Sequence, residues 1–189
     1  MGSSAIIAQT NLGWLKLLKL VGFNIRNDML QVPYFKQNRY YTCGPVCLRM
    51  VLAYWNYETD EVSLSMLCNT NIFGTSANQL VQAARRLGFE SECVLERPYS
   101  SLIRTLKNGI PPIVAVNATI LYEQQHRFYT KHDIVLLEIT PQQVAYHDPD
   151  VGQNLTVLPA TFQQAWQAAQ SEVILIWPVE KTFTKKSAN

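Results

Sequence analysis

Cys43 is the first residue in the chain whose surroundings suggest chemistry. In Thr42-Cys43-Gly44-Pro45 it precedes a long apolar-periodic run, so the sulfur is expected in the first turn of a helix. Unpaired backbone N–H groups and the helix dipole favour an anion there. A cysteine needs that help, because an ordinary thiol titrates near about 8.5 and is only slightly ionised at neutral pH. Gly44 is expected to keep the approach to the sulfur open. Cys47, Cys68 and Cys93 have no such setting and read as small buried hydrophobes.

A reactive thiol needs a base, and the chain offers only His126, His132 and His147. His132 opens the strand-like run Ile134-Val135-Leu136-Leu137, from which a ring would project off a rigid element. His126 lies in the polar stretch Gln124-Gln125-His126-Arg127. His147 abuts Asp148-Pro149-Asp150-Val151-Gly152 and would share that turn with the best carboxylate, which favours His132 as the base. With a turn centred near Thr140-Pro141-Gln142, simple pairing puts residues 132 and 148 opposite each other at the open end of a hairpin, where Asp148 would orient the imidazole. Asp-Pro-x-x-Gly is also a common turn in its own right.

Acyl transfer further requires donors for a developing oxyanion. The Cys43 N–H is one, and Gln37 is available as a side-chain amide, although a glutamine in Lys36-Gln37-Asn38 reads by itself as a surface residue. The cysteines and histidines lack the paired spacing of a zinc site, so neither a metal nor another cofactor is expected.

The elements that must position these groups are legible in outline. Leu30–Phe35 is extended around Pro33. A helix is expected from Cys43 to Tyr57, capped by Thr42 and with Pro45 in its first turn. Thr75-Ser76 caps a second, whose buried face carries Leu80, Val81, Ala84 and Leu87 and which Gly88 stops. A third runs from Ser100 to Lys107 and ends at Asn108-Gly109. The period then changes, giving strands at Ile113–Val116, Ile134–Ile139, Val144–His147 and Leu155–Leu158. A helix at Thr161–Ala169 and a strand at Val173–Trp177 follow. Helices first and a mostly antiparallel sheet second is an α+β arrangement.

At 189 residues the chain suits one domain, and 48% hydrophobic with 16% charged residues excludes disorder driven by charge. A net charge of +2 does not imply nucleic acid as a partner. No run approaches the ~20 apolar residues of a spanning helix. Residues 1–29 form a separate N-terminal extension in which Trp14-Leu15-Lys16-Leu17-Leu18-Lys19-Leu20-Val21 reads as a short basic amphipathic helix. Residues 30–180 form the domain, and 181–189 a loose polar tail. Without a secretory signal the cysteines are expected to be free thiols in a reducing, cytoplasmic setting.

Taken together, Gln37-x5-Cys43-Gly44, the Leu48/Met50/Val51-rich helix, Gly74-Thr75-Ser76, Ala84-Arg85-Arg86-Leu87-Gly88-Phe89, His132 opening a strand, Asp148-Pro149 and Phe162-x3-Trp166 resemble the bacteriocin-processing, double-glycine leader peptidases. The resemblance covers about Gln31 to Pro178. It implies a papain-like cysteine peptidase fold with Cys43 as nucleophile, His132 as general base and acid, Asp148 as its orienter and Gln37 as oxyanion donor. It further implies a peptide or protein substrate with small residues such as Gly-Gly before the scissile bond. Members of that family commonly head a membrane ABC transporter, and this chain, with no membrane spans, reads as a free-standing one. Residues 1–29 would then either pack on the domain, dock on a transporter or a membrane surface, making the protein peripheral there, or cover the cleft. The same site also fits an amide-processing or acyl- or peptide-transferring enzyme, because an amine can capture the thioester. A non-catalytic module that binds leader peptides is the reading from another class.

Overall fold

The apolar run after Thr42 folds as α1 (Cys43–Tyr54), and almost its whole circumference is inside. Val46, Cys47, Leu48, Met50, Val51 and Leu52 are all fully buried, which makes α1 the central helix of the core rather than an amphipathic surface helix. The structure, a computed structural model, describes residues 29–123 and 130–179. The amphipathic segment within residues 1–28, His126 and the tail lie outside the described residues. The helix stops at Tyr54, short of Tyr57, because Asn56 takes a left-handed conformation with φ 60°. Thr42 occupies the cap position but does not cap α1 with its side chain; its hydroxyl is spent elsewhere, as shown below.

α2 (Glu61–Leu67) follows, its N-terminus capped by the Asp60 side chain, which accepts the Ser63 N–H at 2.9 Å. α3 (Ala77–Arg86) opens with a reciprocal capping box between Ser76 and Gln79 and closes at Gly88, whose φ of +85° only glycine adopts without strain. Then come β1 (Phe89–Val94), α4 (Tyr99–Lys107), β2 (Ile113–Asn117) and α5 (Ala118–Leu121), the last capped by the Asn117 side chain. The chain continues through β3 (Lys131–Ile139), β4 (Val144–Asp148), β5 (Gly152–Val157), α6 (Pro159–Gln167) and β6 (Val173–Pro178).

The six strands form one antiparallel sheet in the order β1-β6-β2-β3-β4-β5. The α+β expectation holds. α2, β1 and α5 were not anticipated. Each is short, and β1 carries acidic residues at alternate positions that hide its strand character. β3 is buried from His132 to Leu137, because α1 and α4 pack against the sheet at this strand. Phe162 and Trp166 stack with ring centroids 6.1 Å apart and fix α6 over β2, which accounts for the Phe-x3-Trp spacing. Among the described residues, no helix is long and apolar enough to cross a membrane.

Candidate active site

Three elements meet at Cys43: α1, which begins with it, the start of β3, which carries His132, and the end of β4, which carries Asp148. Asp148 is fully buried and His132 is 1% exposed, whereas Cys43 is half-buried and so within reach of a ligand. The Nε2 of His132 lies 2.9 Å from Oδ1 of Asp148. The contact arises differently from the expected hairpin pairing. A bulge between Leu136 and Glu138 shifts the register so that Val135 pairs with His147. Continuing that register sets Asp148 opposite Ile134, and His132 reaches it diagonally along the same face of the sheet. The main-chain partner of His132 is instead Val116 on β2.

Asp148 is held on every side. Its Oδ1 also accepts the N–H groups of Asp150 at 2.7 Å and Val151 at 3.0 Å, and its Oδ2 accepts the Tyr122 hydroxyl. Burial works against its charge, but the hydrogen bonds and charge of His132, with those from Tyr122 and the turn, outweigh it and hold the carboxyl below its ordinary range. His132 shows the complement. Burial disfavours its cation, yet hydrogen bonding and charge from Asp148 and from Cys43 prevail and push the imidazole well above its ordinary value. Cys43, His132 and Asp148 thus form one line of interacting side chains.

Gln37 is 7% exposed, so the surface reading of Lys36-Gln37-Asn38 is overturned. Its backbone N–H donates to the Pro149 carbonyl at 2.8 Å, which draws the segment under the turn that follows Asp148. Neither its Nε2 nor its Oε1 has a hydrogen-bond partner among the described residues. An orphaned buried amide costs stability, which is the usual mark of a group kept for a ligand. From Gln37 the chain is strapped to α2. The Glu61 carboxylate accepts the Asn38 N–H at 3.1 Å, the Asn38 side-chain amide at 2.7 Å and the Thr42 hydroxyl at 2.6 Å.

The other candidates lie apart. His147 has both ring nitrogens engaged by backbone: Nε2 donates to the Val32 carbonyl and Nδ1 accepts the Asn154 N–H, each at 3.0 Å. Burial lowers its basicity, so it is a neutral structural link between β4, β5 and the extended segment. Cys47 is fully buried, with its thiol donating to the Asp133 carbonyl at 3.3 Å, and burial pushes it well above the ordinary thiol range. Burial pushes Cys68 up to about 12 and raises Cys93 as well. All four cysteines are free. Gly44 serves packing more than access to the sulfur: a Cβ there would lie 3.1 Å from Asp133 Oδ2 and 3.2 Å from Leu80 Cδ1. Among the described residues, no group of three His, Cys, Asp or Glu side chains could hold a metal ion.

The Peptidase C39 family model matches residues 31–181. The chain belongs to the Peptidase C39 family, a family of cysteine peptidases. Its fold is that of the peptidase domain of Streptococcus ComA, a bi-functional ABC transporter of a quorum-sensing pathway. The two are 25% identical with a TM-score of 0.64 over 77% of this chain and 97% of that one. A double-glycine motif protease from an AMS/PCAT transporter, solved in complex with a leader peptide, superposes with a TM-score of 0.65 at 21% identity over 82% and 97% of the two chains. A C39-like peptidase from Bacillus anthracis gives 0.68 at 20% identity over 82% of this chain and all of that one. No curated protein sequence matches the chain significantly.

Two residues of this C39 peptidase escaped the sequence reading. Glu61 left no signal, since an acidic residue in the first turn of a helix reads as a surface complement to the dipole. Tyr122 lies in the polar stretch before β3, where only the topology reveals that a hydroxyl reaches Asp148.

Proposed function

We propose that this C39 peptidase cleaves a peptide bond through a thioester on Cys43. His132 takes the Cys43 proton as the sulfur attacks the substrate carbonyl, and the negative oxygen of the tetrahedral intermediate is met by the Cys43 N–H and the Gln37 amide. The C–N bond then breaks as His132 returns the proton to the leaving amine. Water, deprotonated by His132, attacks the thioester, and the sulfur leaves with its proton restored. Asp148 keeps the imidazole oriented and stabilises its cationic form throughout. The observation that carries this reading is the His132–Asp148 pair at 2.9 Å, its imidazole raised in part by Cys43, with a buried, unpartnered amide tethered to the same turn.

Similarity to a double-glycine motif protease supports a peptide substrate with Gly-Gly before the scissile bond, and similarity to a transporter peptidase domain supports residues 1–29 as a docking segment for such a partner or its membrane. The test is cleavage of a synthetic leader-like peptide containing Gly-Gly, beside a Val-Val control, by wild type and Cys43→Ala. Cleavage after Gly-Gly by wild type alone is expected. Equal cleavage by both proteins, or tight binding without cleavage by either, overturns it. Preferential incorporation of added hydroxylamine would reassign the site to acyl transfer.

A further inference from the structure

Tyr122 touches the proposed site from outside its line of three. It follows α5, and its position is set by the backbone at both ends of that short helix. The Ala118 N–H donates to the Thr130 carbonyl at 2.7 Å, just before β3, and the Tyr122 N–H donates to the Ala118 carbonyl at 3.1 Å. The hydroxyl so placed donates to Oδ2 of Asp148.

We propose that Tyr122 is a positioning residue of the peptidase, whose hydroxyl fixes the plane of the Asp148 carboxylate so that Oδ1 faces His132. The inference rests on the mechanism proposed above. Oδ1 already carries His132 Nε2 and the N–H groups of Asp150 and Val151, whereas Oδ2 has the Tyr122 hydroxyl. Asp148 is fully buried, so bulk water does not replace that donor. Tyr122 is in turn hydrogen-bonded to Tyr146. A hydroxyl has one proton, and an ionised carboxylate only accepts, so the proton of Tyr122 goes to Asp148. The result is a relay from Tyr122 through Asp148 to His132, in which each bond polarises the next. With the carboxylate plane fixed, the Nε2–H of His132 keeps donating to Asp148 and Nδ1 is the basic nitrogen offered to Cys43.

The ionisable groups around Asp148 are His132 on β3, Tyr122 after α5, Tyr34 in the extended segment, Cys47 on α1 and, beside Tyr34, Asp150 in the turn. Of these, His132 and Tyr122 hydrogen-bond the carboxylate through their side chains. Losing the Tyr122 donor makes Asp148 easier to protonate, so the acid limb of activity moves to higher pH.

The experiment compares wild type, Tyr122→Phe and Tyr146→Phe by the pH dependence of cleavage of a fluorogenic Gly-Gly-aminocoumarin peptide and by the His132 ring signals in NMR. For Tyr122→Phe, kcat falls about tenfold with KM little changed, the acid limb rises by roughly half a pH unit, and the Nε2 proton signal of His132 moves or broadens. Tyr146→Phe shifts limb and signal the same way by less, and serves if Tyr122→Phe does not fold. An unmoved acid limb together with an unmoved His132 signal overturns the proposal, whatever happens to the melting temperature. If wild type cleaves no peptide, the proposed function fails, and the NMR comparison still decides the role of Tyr122.

Discussion

The Pro149 carbonyl accepts the backbone N–H of Gln37 at 2.8 Å, and this bond joins the turn that orients Asp148 to the segment that carries the buried amide. Two tasks assigned to opposite sides of a reacting carbonyl thereby share one anchor. A shift in the Asp148 turn is transmitted to Gln37 through a single backbone contact, and Glu61 limits the movement from the other end of the segment.

Gln37→Met keeps the shape of the side chain and removes its amide. The expected outcome is a fall in kcat of about 10²–10³-fold, with a melting temperature equal to or above that of wild type, because an unsatisfied buried polar group has been removed. Kinetics and thermal melts on the same preparation check it. Lower stability with unchanged kcat would make Gln37 a structural residue.

His132 and His147 are separable by paired substitutions. His132→Asn is expected to reduce kcat about 10³-fold or more. His147→Gln is expected to retain catalysis while losing about 1–3 kcal/mol of stability, since it breaks the links to Val32 and Asn154. Denaturant unfolding and peptide cleavage distinguish them, and loss of activity in a folded His147→Gln would refute the assignment.

Asp133 makes stability depend on pH. Burial, only partly offset by His132 and Lys131, raises its carboxyl from 3.8 to about 6. An acid whose value is raised on folding binds its proton more tightly in the native state, so folding loses stability as pH rises from about 4 to about 6, and the full cost remains above that. Asp133→Asn removes the titration. Relative to wild type it is expected to gain about 2–3 kcal/mol more at pH 7.5 than at pH 4, as read by urea unfolding at both values. A difference that does not change with pH would show that Asp133 ionises freely.

The sequence revealed those parts of the site that depend on local chemistry. Cys43 announced itself through the helix start, and Gly88 and the Ser76 cap marked α3 because caps and stops are written in adjacent residues. The diagonal contact of His132 with Asp148 was reached by the right pair of residues and the wrong pairing, since a bulge at Leu136/Glu138 has no reliable local signature. The burial of Gln37 and the contacts of Glu61 and Tyr122 were not legible for one reason: each is a polar residue in a polar neighbourhood, and its placement is imposed by elements distant in sequence.

The position of β6 has a consequence for how the molecule comes into being. The last strand of the described residues lies between β1 and β2, inside the sheet. Until residues 173–178 have been synthesised and inserted, β2 has no neighbour on that side, and β2 is the main-chain partner of the strand that carries His132. The thiol of Cys47 meets the Asp133 carbonyl 86 residues away, so α1 likewise leaves the ribosome long before its partner strand. A nascent chain therefore carries its cysteine without its imidazole, and the neighbours that position His132 are complete only once residues 173–178 have emerged.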